Sequence, residues 1–177
     1  MGILRDILAT QHLSELEKIA KVSPYQQKTQ WTCSAACFKA VLEHYGIPIE
    51  EEAAVQLIGA RPGRGAEVTE IAEAARQYGL DAFEYSFDSL KQAKILLDQQ
   101  IPIICDVQSW NHPGKGHYVV LVSMDQVQAH LMDPNTPSNQ RTIPLTEMES
   151  RWWDHKMEPP HEVVHKWGIV ILPQEAT

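Results

Sequence analysis

The chain has 177 residues, of which 44% are hydrophobic and 21% charged, proportions that suit one soluble globular domain with a sizeable core. Its net charge of −8, from 15 basic and 23 acidic residues, argues against a phosphate-dominated nucleic-acid binder, which needs a clustered basic face. No apolar run reaches the length of a membrane-spanning helix. Three cysteines, Cys33, Cys37 and Cys105, are an odd and low count for a disulfide framework, and the opening residues lack the basic n-region and cleavage site of a secretory signal. Met1-Gly2 is followed by Asp6 where myristoylation wants Ser or Thr. A cytoplasmic protein with reduced thiols is expected.

Residues 3–22 place Ile3, Leu4, Ile7, Leu8, Leu13, Leu16 and Ile19 at helical spacing, with a break near Thr10 and a capping-box pair, Ser14 and Glu17, for a second start. Pro24 stops this segment, which predicts an N-terminal helical extension over 1–23 ahead of a domain over 24–177. The basic face of the extension is thin, so packing on the domain is expected of it rather than lying on a membrane. Thr32 stands where it can cap a helix through Ala35, Phe38 and Leu42 that closes at "HYG", with Gly46 beyond its end. Further helices are predicted over 49–58, 69–78 and 89–99, with "ARPGRGAE" a connector and "LDAFEYSF" a strand. From residue 101 the character changes to short β-rich runs, "IPIICDVQ", "HYVVLVSM", "VQAHLMD" and "WGIVILP", divided by turn residues. Helices first and strands later predict an α+β fold, with N-terminal helices packed on an antiparallel sheet.

The stretch "QKTQWTCSAAC" carries the chemistry. A helix starting at Thr32–Ser34 sets the Cys33 thiol over unpaired backbone N–H groups and the positive end of the helix dipole, and both favour thiolate. Attack of a thiolate on a carbonyl makes an oxyanion. The Cys33 N–H and the Gln27 side-chain amide, six residues upstream on the entering loop, are candidate donors to it. On this segment alone an ordinary buried core thiol fits as well. A base is then needed. His117 stands at the mouth of "HYVVLV", and Asp133 ends the next run; a hairpin turning near Asp125–Gln126 sets the two opposite or nearly opposite each other. Together Gln27, Cys33, His117 and Asp133 supply oxyanion donor, nucleophile, base and base-orienter, in that chain order.

Rival constellations are weaker. "HEVVH" at 161–165 matches a zinc-peptidase motif, but Val163 and Val164 lead straight to Gly168 and a strand-like run, and a single turn is a poor ligand platform. Zinc on Cys33 and Cys37 lacks a second ligand pair. Cys37 and Cys105 are expected to be core thiols. "RWWD" at 151–154 is expected to be a packing cluster near a cleft rim, and "RPGRG" at 61–65 a connector bordering the groove.

The same residues carry a resemblance. "Q-x5-C-S-A-A-C" running into "FKAVLEHYG", then "GHYVVLV", then "DPN", resembles the papain-like cysteine peptidases of the bacteriocin-processing (C39) type over roughly residues 24–172. That resemblance implies a papain-like fold with Cys33 as nucleophile, His117 as base, Asp133 as its orienter and Gln27 as oxyanion donor. It also implies a peptide or protein substrate in an extended groove, and a mechanism needing no cofactor. Thr32-Cys33-Ser34 replaces the family's Asp-Cys-Gly. The best-known members are domains of ATP-driven exporters that cut leaders at a double glycine. This chain has no Walker A pattern, so that specificity is not carried over. A catalytically silent peptide-binding module, or a papain-like acyl transferase, is the alternative reading.

Overall fold

The computed structural model describes residues 21–174. The predicted N-terminal helix, with its Ser14–Glu17 capping pair, lies outside the described residues except for its last two positions. Thirteen elements follow in order: α1 Cys33–His44, α2 Glu51–Leu57, α3 Val68–Gln77, β1 Leu80–Ser86, α4 Leu90–Leu97, β2 Ile103–Gln108, β3 Gly116–Met124, β4 Gln128–Met132, β5 Gln140–Pro144, α5 Leu145–Arg151, β6 Trp153–His155, β7 Val163–His165 and β8 Trp167–Pro173.

The first helix is buried almost all round, from Ser34 to Leu42. Small residues at Ala35, Ala36 and Ala40 let its backbone approach the sheet, while Phe38, Val41 and Leu42 fill the space between. It closes as predicted: Gly46 (φ 78°) takes the left-handed conformation, its N–H donating to the Glu43 carbonyl while the Ile47 N–H donates to that of Leu42. In α3, Glu67 and Glu70 form a reciprocal capping box.

Six strands make one antiparallel sheet in the order β1-β8-β2-β3-β4-β5, and β6 pairs with β7 in a separate ribbon. Both faces of the large sheet are covered. Helices α1 to α3 pack on Ile104, Tyr118, Val120, Ile169 and Ile171, whereas α4 and α5 pack with Trp152 on Ile103, Cys105, Val119, Leu121 and Val170. Two-sided burial explains why Ile103, Ile104 and Cys105 follow one another without alternation, and all six residues of β2 are buried. Each fully buried aliphatic side chain here contributes about 1.5–3 kcal/mol. The fold is therefore α+β, with helices on the second face as well.

One local reading is corrected. The β3–β4 hairpin pairs Val120 with Met132 and Leu121 with Leu131, then shifts by one residue to pair Ser123 with His130. Val122 is the extra residue of a bulge, and the Asp125 carboxylate closes the turn by accepting the N–H groups of Val127 and Gln128, both at 2.7 Å. Carried past the ladder, this register sets Asp133 diagonal to His117, not opposite it. As expected, "HEVVH" is no helix: its last three residues form β7 against β6, because the paired β-branched valines suit the ribbon. No element is predicted over β5 and α5: "QRTIP" lacks a long apolar run and pairs with β4 as the edge strand of the sheet.

Candidate active site

Cys33 opens α1, directly after Thr32. Thr32 does not cap the helix with its side chain. Its hydroxyl donates to the Thr29 carbonyl at 3.1 Å and accepts the Thr29 N–H at 3.2 Å, so it tightens the loop in front of the helix. The first N–H groups of α1 stay available as a result. Burial pushes the Cys33 thiol up, but the hydrogen bond and charge of His117, with the backbone N–H groups of Tyr118 and Ser34, outweigh it and hold the thiol below its ordinary value. Cys37 and Cys105 are fully buried core residues, and burial pushes both thiols far up.

His117 begins β3, where pairing with Val107 fixes its backbone. Its Nε2 lies 2.8 Å from Asp133 Oδ1, which leaves Nδ1 for Cys33. Burial drives the imidazole toward neutrality, yet hydrogen bonds and charge from Asp133 and Cys33 raise its pKa to about 9. The two shifts run in opposite directions, as a thiolate–imidazolium pair requires.

Asp133 is wholly buried, at the end of β4. Burial alone raises its pKa. His117, the Asn135 N–H at 3.0 Å and Arg141 Nε at 2.8 Å on Oδ2 together hold it below the usual carboxylate range. Arg141 in turn lies over the Trp110 ring, 4.1 Å from its centroid, with Arg151 at 5.0 Å. Glu147 Oε1 accepts from Trp110 Nε1 at 2.8 Å and from Arg151 Nε at 2.9 Å. A chain of contacts thus runs from the carboxylate beside the histidine to α5.

Gln27 sits on the loop before α1, and two ties set its position. Its N–H donates to the Pro134 carbonyl at 3.0 Å, next to Asp133, and the neighbouring Lys28 N–H is shared by both oxygens of buried Glu51 at 3.1 and 3.2 Å. The side-chain Nε2 donates to the Thr29 carbonyl at 2.6 Å, which occupies one of its two hydrogens. Oε1 is buried without a partner. Cys33, His117 and Asp133 are thus brought together, and Gln27 is joined to the Asp133 segment through its backbone.

Beside Cys33 lies a cleft of about 710 Å³, bordered by Gly63, Arg64 and Gly65 of the "RPGRG" connector and by Asp106, Tyr118 and Asp154. Of "RWWD", Trp152 is fully buried, its indole N–H on the Trp167 carbonyl at 2.8 Å, whereas Asp154 faces the cleft. A second groove of about 510 Å³, along β3 to β5 and α4, contains neither Cys33 nor His117. Sequence reasoning missed Glu51, Trp110 and Arg141. Their roles depend on the folded positions of α2, the loop after β2 and the β4–β5 hairpin, and no local motif marks them.

The Peptidase C39 family model matches residues 21–157, most of the chain. The chain belongs to the peptidase C39 family. No curated protein matches it by sequence. Solved structures share the C39 fold. A double glycine motif protease from an AMS/PCAT transporter, in complex with the leader peptide, is 23% identical, with a TM-score of 0.67 over 88% of this chain and 94% of that one. The peptidase domain of Streptococcus ComA, a bi-functional ABC transporter, is 20% identical, with a TM-score of 0.66 over 90% and 100%. A putative C39-like peptidase from Bacillus anthracis is 15% identical, with a TM-score of 0.69 over 89% and 97%. Among the described residues of this C39 chain, no helix is long and apolar enough to cross a membrane.

Proposed function

We propose that the chain is a cysteine peptidase, acting on peptides of the leader type through Cys33, His117, Asp133 and Gln27, within a peptidase domain over 24–177. The observation that carries this reading is the continuous contact of Cys33, His117 and Asp133, with the thiol lowered and the imidazole raised. Family membership and the leader peptide bound to a structural neighbour support the substrate class.

The Cys33 thiolate attacks the scissile carbonyl carbon and forms a C–S bond, and the carbonyl oxygen takes the charge. The Cys33 N–H and the remaining Gln27 Nε2–H donate to that oxyanion. As the tetrahedral species collapses, the C–N bond breaks and His117 Nδ1–H protonates the departing amine. Water, deprotonated by the now neutral imidazole, then attacks the thioester, and breaking the C–S bond releases the acid and regenerates the pair. Asp133 keeps the imidazole oriented throughout.

The test is alkylation by iodoacetamide, mapped cysteine by cysteine at pH 6, in wild type and in His117→Ala. Cys33 is expected to react at least about tenfold faster than Cys37 or Cys105, and to lose that advantage without His117. Equal rates for the three cysteines in the wild type would sink the reading.

A further inference from the structure

The cleft beside Cys33 has a floor that the peptide-cleaving steps leave unused. Asp106 of β2 and Tyr118 of β3 are paired across the ladder, and Asp154 of β6 approaches from the smaller sheet. Gly116 makes room for this convergence. A Cβ there would collide with Asp154 Oδ2 and lie 3.2 Å from Asp106 Oδ1, so both carboxyl groups close over a position without a side chain. Asp106 is 7% exposed and Tyr118 5%, yet the Tyr118 hydroxyl has no hydrogen-bond partner and Asp106 Oδ1 has none beyond the facing Asp154 carboxyl. Orphaned polar atoms in a buried wall are costly, and here they line a cleft into which a partner can be brought from outside.

The charges around this floor are mostly engaged elsewhere. Arg64 pairs with Glu70 at 2.8 Å and Lys156 with Glu162 at 3.1 Å. Glu67 accepts the Met157 N–H at 2.6 Å. Asp154 Oδ1 accepts from Gln108 Nε2 at 3.2 Å and from its neighbour's N–H, so Oδ2 is the oxygen turned to Gly116. Lys115 stands at the mouth.

We propose that this floor is a subsite for a cation, and that it binds the lysine or arginine side chain of a peptide substrate close to the scissile bond. The proposal rests on the peptidase reading and adds a substrate preference to it. An ammonium or guanidinium group brings donors only, which matches Asp106 Oδ1, Asp154 Oδ2 and the lone pairs of the Tyr118 oxygen. An acidic or apolar side chain would leave those acceptors unpaired. Burial, the neighbouring Asp154 charge and a hydrogen bond with Asp154 push the Asp106 carboxyl well up, and an incoming cation would offset the burial and repulsion that do so.

Two methanethiosulfonates test this at Cys33, the cationic aminoethyl reagent and the neutral methyl reagent. In each reaction the thiolate attacks the sulfenyl sulfur, an S–S bond forms and methanesulfinate leaves. The ratio of cationic to neutral rate constants, read at Cys33 by mass spectrometry, is expected to exceed about ten in wild type. It is expected to fall about fivefold or more in Asp154→Asn and again in Asp106→Asn. Asp154 is only half-buried, so its amide variant keeps the test usable where the buried Asp106→Asn fails to fold. A wild-type ratio near one, or a ratio that Asp154→Asn leaves in place, overturns the subsite. The neutral reagent separates the two readings. If Cys33 reacts with it no faster than Cys37 and Cys105, the peptidase reading has failed and the subsite falls with it; if Cys33 is fast but the ratio is flat, only the subsite is lost.

Discussion

At the scale of single residues, the site depends on who holds Asp133. A wholly buried carboxylate persists only if its charge is met, and His117, Arg141 and the Asn135 N–H meet it. Arg141→Ala leaves Oδ2 facing an empty space and is expected to lower stability by about 2–3 kcal/mol, read by urea unfolding. Arg141→Lys keeps the charge but loses the planar fork and the stack on Trp110, and it should recover only part of the loss. The pH profile of Cys33-dependent turnover follows from the two shifts. The thiol is lowered and the imidazole raised to about 9, so the ion pair spans the interval between them. Activity should fall on the acid side as Cys33 takes up its proton. It should fall again as pH rises through about 9 and His117 loses the proton owed to the leaving amine. In His117→Ala the acid limb of alkylation should move up toward the ordinary thiol value of about 8.5; an unmoved limb would separate Cys33 from His117.

At the scale of elements, close backbone approach matters more than propensity. Gly168 of β8 pairs with Cys105, and a Cβ there would sit 2.6 Å from the Ile104 carbonyl oxygen. Gly168→Ala is therefore expected to spread β8 from β2 and destabilise the domain by about 2–4 kcal/mol, measured by the midpoint of urea unfolding. A midpoint within error of wild type would mean that the strands shift apart at no cost. The β3–β4 hairpin shows what a run of residues leaves open. Both strands and the turn near Asp125 were legible from the runs of Val, Leu and Met between turn residues. The bulge at Val122 was not, because one extra residue leaves the composition of the strand unchanged. The turn closes between Met124 and Ala129, later than the predicted Asp125–Gln126, which sets the pair diagonal; the bulge brings Asp133 one residue nearer, and His117 reaches it at 2.8 Å.

At the scale of the whole molecule, one sheet with two covered faces divides stability unevenly. Strands β2, β3 and β8 are central and buried on both sides, whereas β6–β7 is a short ribbon with Val163 half exposed. Amide exchange should therefore be slowest at Ile103–Val107, Val119–Leu121 and Ile169–Ile171 and fast at Val163–His165. Uniform protection across both sheets would contradict this. The same division gives the cleft two unlike walls: Cys33 and Tyr118 belong to the large core, Asp154 to the ribbon.

Most of this architecture was legible before folding. Cys33 at a helix start, His117 at a strand mouth, Asp133 at a strand end and the sequence of helices before strands are all local patterns, carried by periodicity, capping and turn residues within about ten positions. What only the tertiary structure decided are relations between distant segments: Arg141 on Asp133, Trp110 between Arg141 and Glu147, Glu51 under the Gln27 loop, and Asp106 and Asp154 meeting over Gly116. Helices and strands answer to neighbours along the chain, but buried charges and orphaned acceptors answer to whatever the packed core brings beside them, and no spacing in the sequence records that.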